Sequence, residues 1–91
     1  MRKVYERMLK TMFRKQIICK RKEMKLTQAQ MSENLEMSVR SYCDLENGKY
    51  KCSAITLVLY LIYCCDDVNS FLNGLKSEFE KASEDAAYEE I

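Results

Sequence analysis

Residues 26–48 read L-T-Q-A-Q-M-S-E-N-L-E-M-S-V-R-S-Y-C-D-L-E-N-G, and this stretch constrains the fold more than any other part of the chain. It encodes two short helices, each with its own start signal, joined by a corner too short for anything but a tight turn. Thr27 with Gln30 three positions later is a capping box: the hydroxyl takes a free amide of the first turn and the glutamine reaches back. Leu26 and Met31 occupy the staple positions around that cap. Ser38 opens the second helix, with Met37 and Tyr42 as its staple. Each cap is worth about 1 kcal/mol. Asn47-Gly48 supplies a residue that accepts positive φ where a helix must stop. Met31 and Leu35 share one face of the first helix, and Tyr42 and Leu45 form the inward pair of the second. Val39, Arg40, Cys43, Asp44 and Asn47 are left pointing largely outward.

The rest of the chain is also helical in pattern. Proline is absent, glycine occurs twice, and strand-like alternation is missing. Val4, Tyr5, Met8, Leu9, Met12, Phe13, Ile17 and Ile18 recur at helical spacing, which predicts one amphipathic helix from near the N-terminus to about Glu23. The apolar run over residues 54–65 is too short to span a bilayer. It predicts a helix opened by Ser53, ending near Cys64 and buried nearly all round. Asp66 or Asp67 caps a fifth helix with the stripe Val68, Phe71, Leu72, Leu75, Phe79 and Ala82. Gly74 either divides it or is tolerated at about 1 kcal/mol. The expectation is an all-α chain of five helices forming a single domain over residues 1–91.

The formal charge of +1 hides an asymmetry. Residues 1–25 carry ten Lys or Arg and two Glu, a net of +8, whereas residues 66–91 carry two Lys and eight acids, a net of −6. A basic arm attracts phosphates and an acidic tail repels them. Lys20, Lys49 and Lys51 flank the paired short helices and are assigned to phosphates; Arg2, Lys3 and Arg7 are read as solvated. Five cysteines occur without histidine or a C-x-x-C pair, so no metal site is expected. No cofactor is expected either. Cys19 and Cys64 are read as small core hydrophobes. A thiol switch through Cys43 would need exposure and a depressed pKa. The N-terminal apolar residues are interleaved with charge, unlike a signal peptide, so a cytoplasmic protein with reduced thiols is expected. An enzyme is not expected: there is no histidine, no glycine-rich phosphate loop and no nucleophile-base pair.

Arg21, Thr27-Gln28 and Leu45-Glu46-Asn47-Gly48 follow a known pattern. The family has an arginine near the end of helix one, a Thr/Ser-Gln pair opening helix two, and I/L-E-x-G ending helix three. The chain resembles the helix-turn-helix DNA-binding domain of the phage-repressor and Cro superfamily, the XRE-type regulators, over residues 17–72. Residues 1–14 and 75–91 are then helical extensions of a lambda-repressor-like core. Glu36 stands where the family's turn usually has glycine, Ser32 where it has a small alanine, and Val39 where many members carry a polar base reader. The resemblance implies a bacterial or phage-derived origin. It also implies a structural ion pair between Arg21 and Glu46, which ties helix one to the end of helix three.

The function this implies is sequence-specific binding of double-stranded DNA by a small transcriptional repressor or regulator acting through operator occupancy. The second short helix enters the major groove, with Ser38, Val39, Arg40, Ser41 and Asp44 toward the bases. Arg40 is the best base reader, because a guanidinium matches guanine O6 and N7 in a bidentate way. Gln28 is similar to a family residue that clamps phosphate or reaches a base. Asn47, Lys49, Tyr50 and Lys51 hold the backbone beyond. The alternative is a protein-interaction module, such as an antitoxin or anti-regulator, on the same fold. Neither a membrane nor a small-molecule substrate is implied. The apolar stripes of the two extensions either close on each other within one chain or pair across copies; the expectation is a homodimer built mainly from the C-terminal helix, with the N-terminal turns alongside, which two half-sites favour.

Overall fold

Four short polar side chains start four helices. The Oγ1 of Thr27 accepts from the Gln30 amide at 3.1 Å, and the Gln30 side chain accepts from the Thr27 amide at 2.8 Å. Ser38 accepts from the Ser41 amide at 3.1 Å, Ser53 from the Thr56 amide at 3.3 Å, and Asp67 from the Ser70 amide at 3.0 Å. The structure, a computed structural model, describes residues 1–49 and 53–89. The described residues form α1 (Arg2–Glu23), α2 (Gln28–Asn34), α3 (Val39–Glu46), α4 (Ala54–Tyr63) and α5 (Val68–Glu89). They contain helices and no strand.

Three helices end in the same way. Leu26 N–H reaches Arg21 C=O and Lys25 N–H reaches Lys22 C=O, at 3.0 and 3.1 Å. The equivalent pairs after α2 are Met37 to Ser32 and Glu36 to Glu33, and after α3 Lys49 to Asp44 and Gly48 to Leu45. Each is a Schellman closure, which needs one residue in the left-handed region. That residue is Lys25 (φ 57°), Glu36 (φ 53°) and Gly48 (φ 76°) respectively. Only the third is glycine. A side chain in this region costs about 1–2 kcal/mol. Glu36→Gly should therefore stabilise the protein by about 1 kcal/mol, the strain relieved outweighing the added freedom of the unfolded chain. The thermal midpoint should rise by about 4–8 °C. A lower midpoint would show that the Glu36 side chain contributes more than its backbone costs.

The core draws two residues from each helix or its C-cap: Phe13 and Ile17, Met31 and Leu35, Tyr42 and Leu45, Tyr60 and Cys64, Phe71 and Leu75. Tyr60 sits at the centre. Its ring meets Phe13 edge-on at 5.2 Å and Phe71 edge-on at 6.3 Å, joining α1 and α5 through α4. Burial pushes its phenol up to about 12. Further out, Tyr5 stacks on Phe79 at 4.5 Å, so the start of α1 is packed against α5. The two terminal stripes thus meet at this point within one chain, while Leu72 of the α5 stripe stays exposed.

Three sequence expectations need correction or completion. Gly74 does not divide α5, which runs unbroken through it. A Cβ there would meet nothing within 4 Å, so Gly74→Ala should add about 1 kcal/mol of stability, read as a higher urea midpoint at unchanged slope. Cys19 is exposed rather than buried, because it lies two positions past Ile17 and so on the far side of α1. Cys64 is buried, and burial pushes its thiol pKa up. Helix α4 is not buried all round: Ile55, Val58 and Ile62 are 64%, 46% and 63% exposed. An all-apolar helix has no periodicity from which to read its inner face. No helix among the described residues is long and apolar enough to cross a membrane.

Candidate nucleic-acid interface

The four residues 35–38 join α2 to α3, and the pair packs through Met31, Leu35, Tyr42 and Leu45. Ser32 fits the close approach: it is buried, and its hydroxyl donates to the Ala29 carbonyl at 2.6 Å. What fixes α3 to the rest of the molecule is polar. Arg21 Nε donates to Glu46 Oε2 at 2.6 Å, and its Nη2 donates to Oε1 at 3.2 Å. The remaining arm, Nη1, donates to the Leu26 carbonyl at 3.2 Å. One guanidinium therefore holds the end of α3, the end of α1 and the entry to α2. The side chains of Arg21 and Glu46 are 16% and 8% exposed, so the pair is largely shielded from water.

Glu46 gathers more than one donor. Gln28 Nε2 donates to Oε1 at 3.1 Å, and the Cys43 thiol donates to Gln28 Oε1 at 3.3 Å. The buried Tyr42 hydroxyl faces the ion pair but lies outside hydrogen-bond geometry with it. Burial pushes the Glu46 carboxyl upward. The Arg21 and Gln28 hydrogen bonds and the adjacent Tyr42 outweigh it, so Glu46 ionises below its ordinary value. The same bond holds Arg21 above its ordinary value. Burial, followed by the Glu46 charge, pushes the Tyr42 phenol strongly up.

Arg14 adds a contact that sequence reasoning missed. Its Nε donates to the Glu46 main-chain carbonyl at 2.6 Å, closing the last turn of α3 from 32 residues away. Its guanidinium also lies against Gly48, where a Cβ would come within 3.1 Å of Nη1. Cations commonly serve helix C-termini, but the sequence carries no sign of which cation reaches which helix.

The outward side of α3 carries most of the residues assigned to DNA. Ser38, Val39, Arg40, Asn47 and Lys49 are exposed, and Ser41 and Asp44 are partly so. Arg40 makes no ion pair among the described residues, with Asp44 or otherwise. Ser38 donates its hydroxyl to Ser41 Oγ at 2.9 Å, so the two serines form one polar unit at the start of α3. Asn47 is the C-cap of α3. Gln28 is not a free reader: both ends of its amide are committed, to Cys43 and to Glu46. Lys20 is not free either. It is paired with Asp66 and, at 3.5 Å, with Glu23, and the Asp66 contact raises its pKa. Tyr50 and Lys51 lie outside the described residues.

Physically, α3 is a short rail clamped at its C-terminal end by Arg21, Gln28 and Arg14. Its N-terminal turn presents one guanidinium, an exposed valine and two hydroxyls to solvent. Such a row can donate hydrogen bonds to acceptors lying in a groove and place a methyl surface beside them. Among the described residues, no group of three or more His, Cys, Asp or Glu is arranged to hold a metal ion. No family model, curated protein or solved structure matches the chain.

Proposed function

We propose that the protein is a sequence-specific double-stranded DNA-binding regulator with a lambda-repressor-like helix-turn-helix core over residues 17–72. In this reading α3 enters the major groove and operator occupancy excludes other proteins. The observation that carries the proposal is the combination of a clamped α3 with an exposed Arg40 on its first turn that makes no ion pair among the described residues. A guanidinium held on a rigid helix can meet guanine O6 and N7 together. Val39 beside it offers an apolar contact to a thymine methyl. Ser38 and Ser41 supply hydroxyls near the same bases, and Asn47 and Lys49 bear on the phosphates. Gln28 acts indirectly, by fixing Cys43 and Glu46. Two copies on a near-palindromic site set the recognition helices about 34 Å apart.

Selection of bound sites from a random duplex pool tests the reading, followed by binding measured against salt. The expected result is an enriched half-site with guanine at the Arg40 position and affinity that falls steeply with salt. Failure to bind any duplex at low salt would sink it. The protein-interaction reading would then gain ground, since the uncovered apolar side of α4 is the kind of surface on which protein partners dock.

A further inference from the structure

Helix α1 carries a row of cations on the side that meets α3. Arg14 and Arg21, seven residues apart, both reach Glu46 at the end of α3. Lys10, Arg7 and Lys3 continue that row toward the N-terminus at steps of four, three and four residues, so they share one side of the helix. Lys3 and Arg7 are exposed and Lys10 is partly so, and none of them makes an ion pair among the described residues. Glu6 is the one acid among residues 1–22, and Arg2 pairs with it at 3.6 Å. On α5, Glu78 lines the groove beside Arg7 but pairs with Lys81 at 3.6 Å. Lys3, Arg7 and Lys10 thus stand along about 10 Å of helix with no counter-charge among the described residues.

We propose that this row holds backbone phosphates of the duplex flanking the site read by α3, which makes the N-terminal half of α1 a second DNA contact. The proposal rests on the DNA-binding reading above and gives the 1–14 extension a part in it. Continuity carries it. Arg14 lies against Gly48, the residue before Lys49, and from there the row leads away from α3. In this arrangement a strand held at Lys49 passes Arg14 and runs along Lys10, Arg7 and Lys3. Phosphates recur about every 3.4 Å of axis along one strand, so a row of this length meets roughly three of them. Long, free side chains suit such a backbone: they add affinity and read no bases. A lipid surface would instead need an apolar side of α1 to bury. That side is already closed, since Phe13 and Ile17 are fully buried and Tyr5 stacks on Phe79.

Titration of the intact chain against duplexes of different length tests this. One duplex ends at the selected half-site, and two others extend it by about ten base pairs, one turn, on one side or the other. One of the extended duplexes should bind more tightly than the short one. With three added phosphate contacts its salt slope should be steeper by about 2.7, a roughly 40-fold greater loss of affinity between 50 and 200 mM salt. Lys3→Gln/Arg7→Gln/Lys10→Gln should abolish that gain and change binding of the short duplex little. Lys3→Arg/Lys10→Arg keeps the charges and should keep the gain. None of these side chains belongs to the core, so both variants should melt with the intact chain. Equal binding of short and extended duplexes by the intact chain overturns the proposal and leaves the reading of α3 standing. Equal weakening of both lengths by the glutamine variant also overturns it, since the row would then act at the half-site itself. Failure to bind any duplex overturns both readings together. Binding to phosphatidylserine vesicles or to polyglutamate that the glutamine variant loses, with no gain from the flank, assigns the row to that partner instead.

Discussion

Glu46→Ala should lower the thermal midpoint by about 12–24 °C, the largest loss expected from any single side chain outside the hydrophobic core. The substitution leaves the Arg21 guanidinium without its carboxylate and the Gln28 amide without an acceptor. Breaking a shielded pair on one side costs about 3–5 kcal/mol, and the lower figure applies because Arg21 keeps some contact with solvent. For a chain of this size each kcal/mol moves the midpoint by about 4–8 °C. Arg21→Ala should cost a similar amount, and the double variant much less than the two losses added, since the pair is one interaction. Additive losses would mean that Arg21 and Glu46 stabilise the fold through separate contacts.

Acid exposes the same pair. Glu46 ionises below its ordinary value of 4.5 in the folded chain. Between the folded and unfolded values the unfolded chain binds more protons, so stability falls as pH falls. The contribution of Glu46 is full above the unfolded value and is lost as pH drops through the folded one. Urea midpoints from pH 7 to about pH 3 should show this loss in the intact protein, and Glu46→Gln should lack that part of it. An unchanged acid slope in Glu46→Gln would place the sensitivity on other carboxylates.

The parts of the fold legible in the sequence are those in which the cause and the effect are neighbours in the chain. Thr27 with Gln30, Ser38, Ser53 and Asp67 announce helix starts because a cap reaches only three residues along. The stripes of α1 and α5 were legible through their spacing, and so was the choice between internal closure and pairing. The expectation of a homodimer through the C-terminal helix rests on the half-site argument, because spacing marks a face without naming what covers it. Lys25 gives no local sign of a left-handed residue, and Glu36 only through the resemblance, whose turn usually has glycine there, since the demand comes from how α1 and α2 must end against their neighbours. Arg14 reaching the end of α3, Gln28 bridging Cys43 to Glu46, and Lys20 held by Asp66 are products of tertiary proximity. The Arg21–Glu46 pair spans 25 residues, so it came from the resemblance and not from spacing.

Arg40→Ala and Lys49→Ala should separate sequence reading from general affinity. Arg40 stands on the first turn of α3, exposed and without an ion pair among the described residues. Its loss should cost about 1–3 kcal/mol at one base position, roughly 5- to 150-fold on the selected site, with little change on scrambled duplex. Lys49 follows the Schellman closure of α3, bound through its own amide to Asp44, with its side chain exposed. A cation there meets phosphates and not bases, so Lys49→Ala should weaken every duplex alike and reduce the salt slope by about one. The contrast depends on α3 being held the same way in both variants. Neither residue takes part in the Arg21–Glu46–Gln28 clamp, so both proteins should melt with the intact chain. Titrations of each variant against selected and scrambled duplexes at two salt concentrations measure all four quantities. Equal weakening on both duplexes by Arg40→Ala would reduce Arg40 to a phosphate anchor. The reading of bases would then fall to Val39 and the Ser38–Ser41 hydroxyls, a surface that favours thymine methyls over guanine.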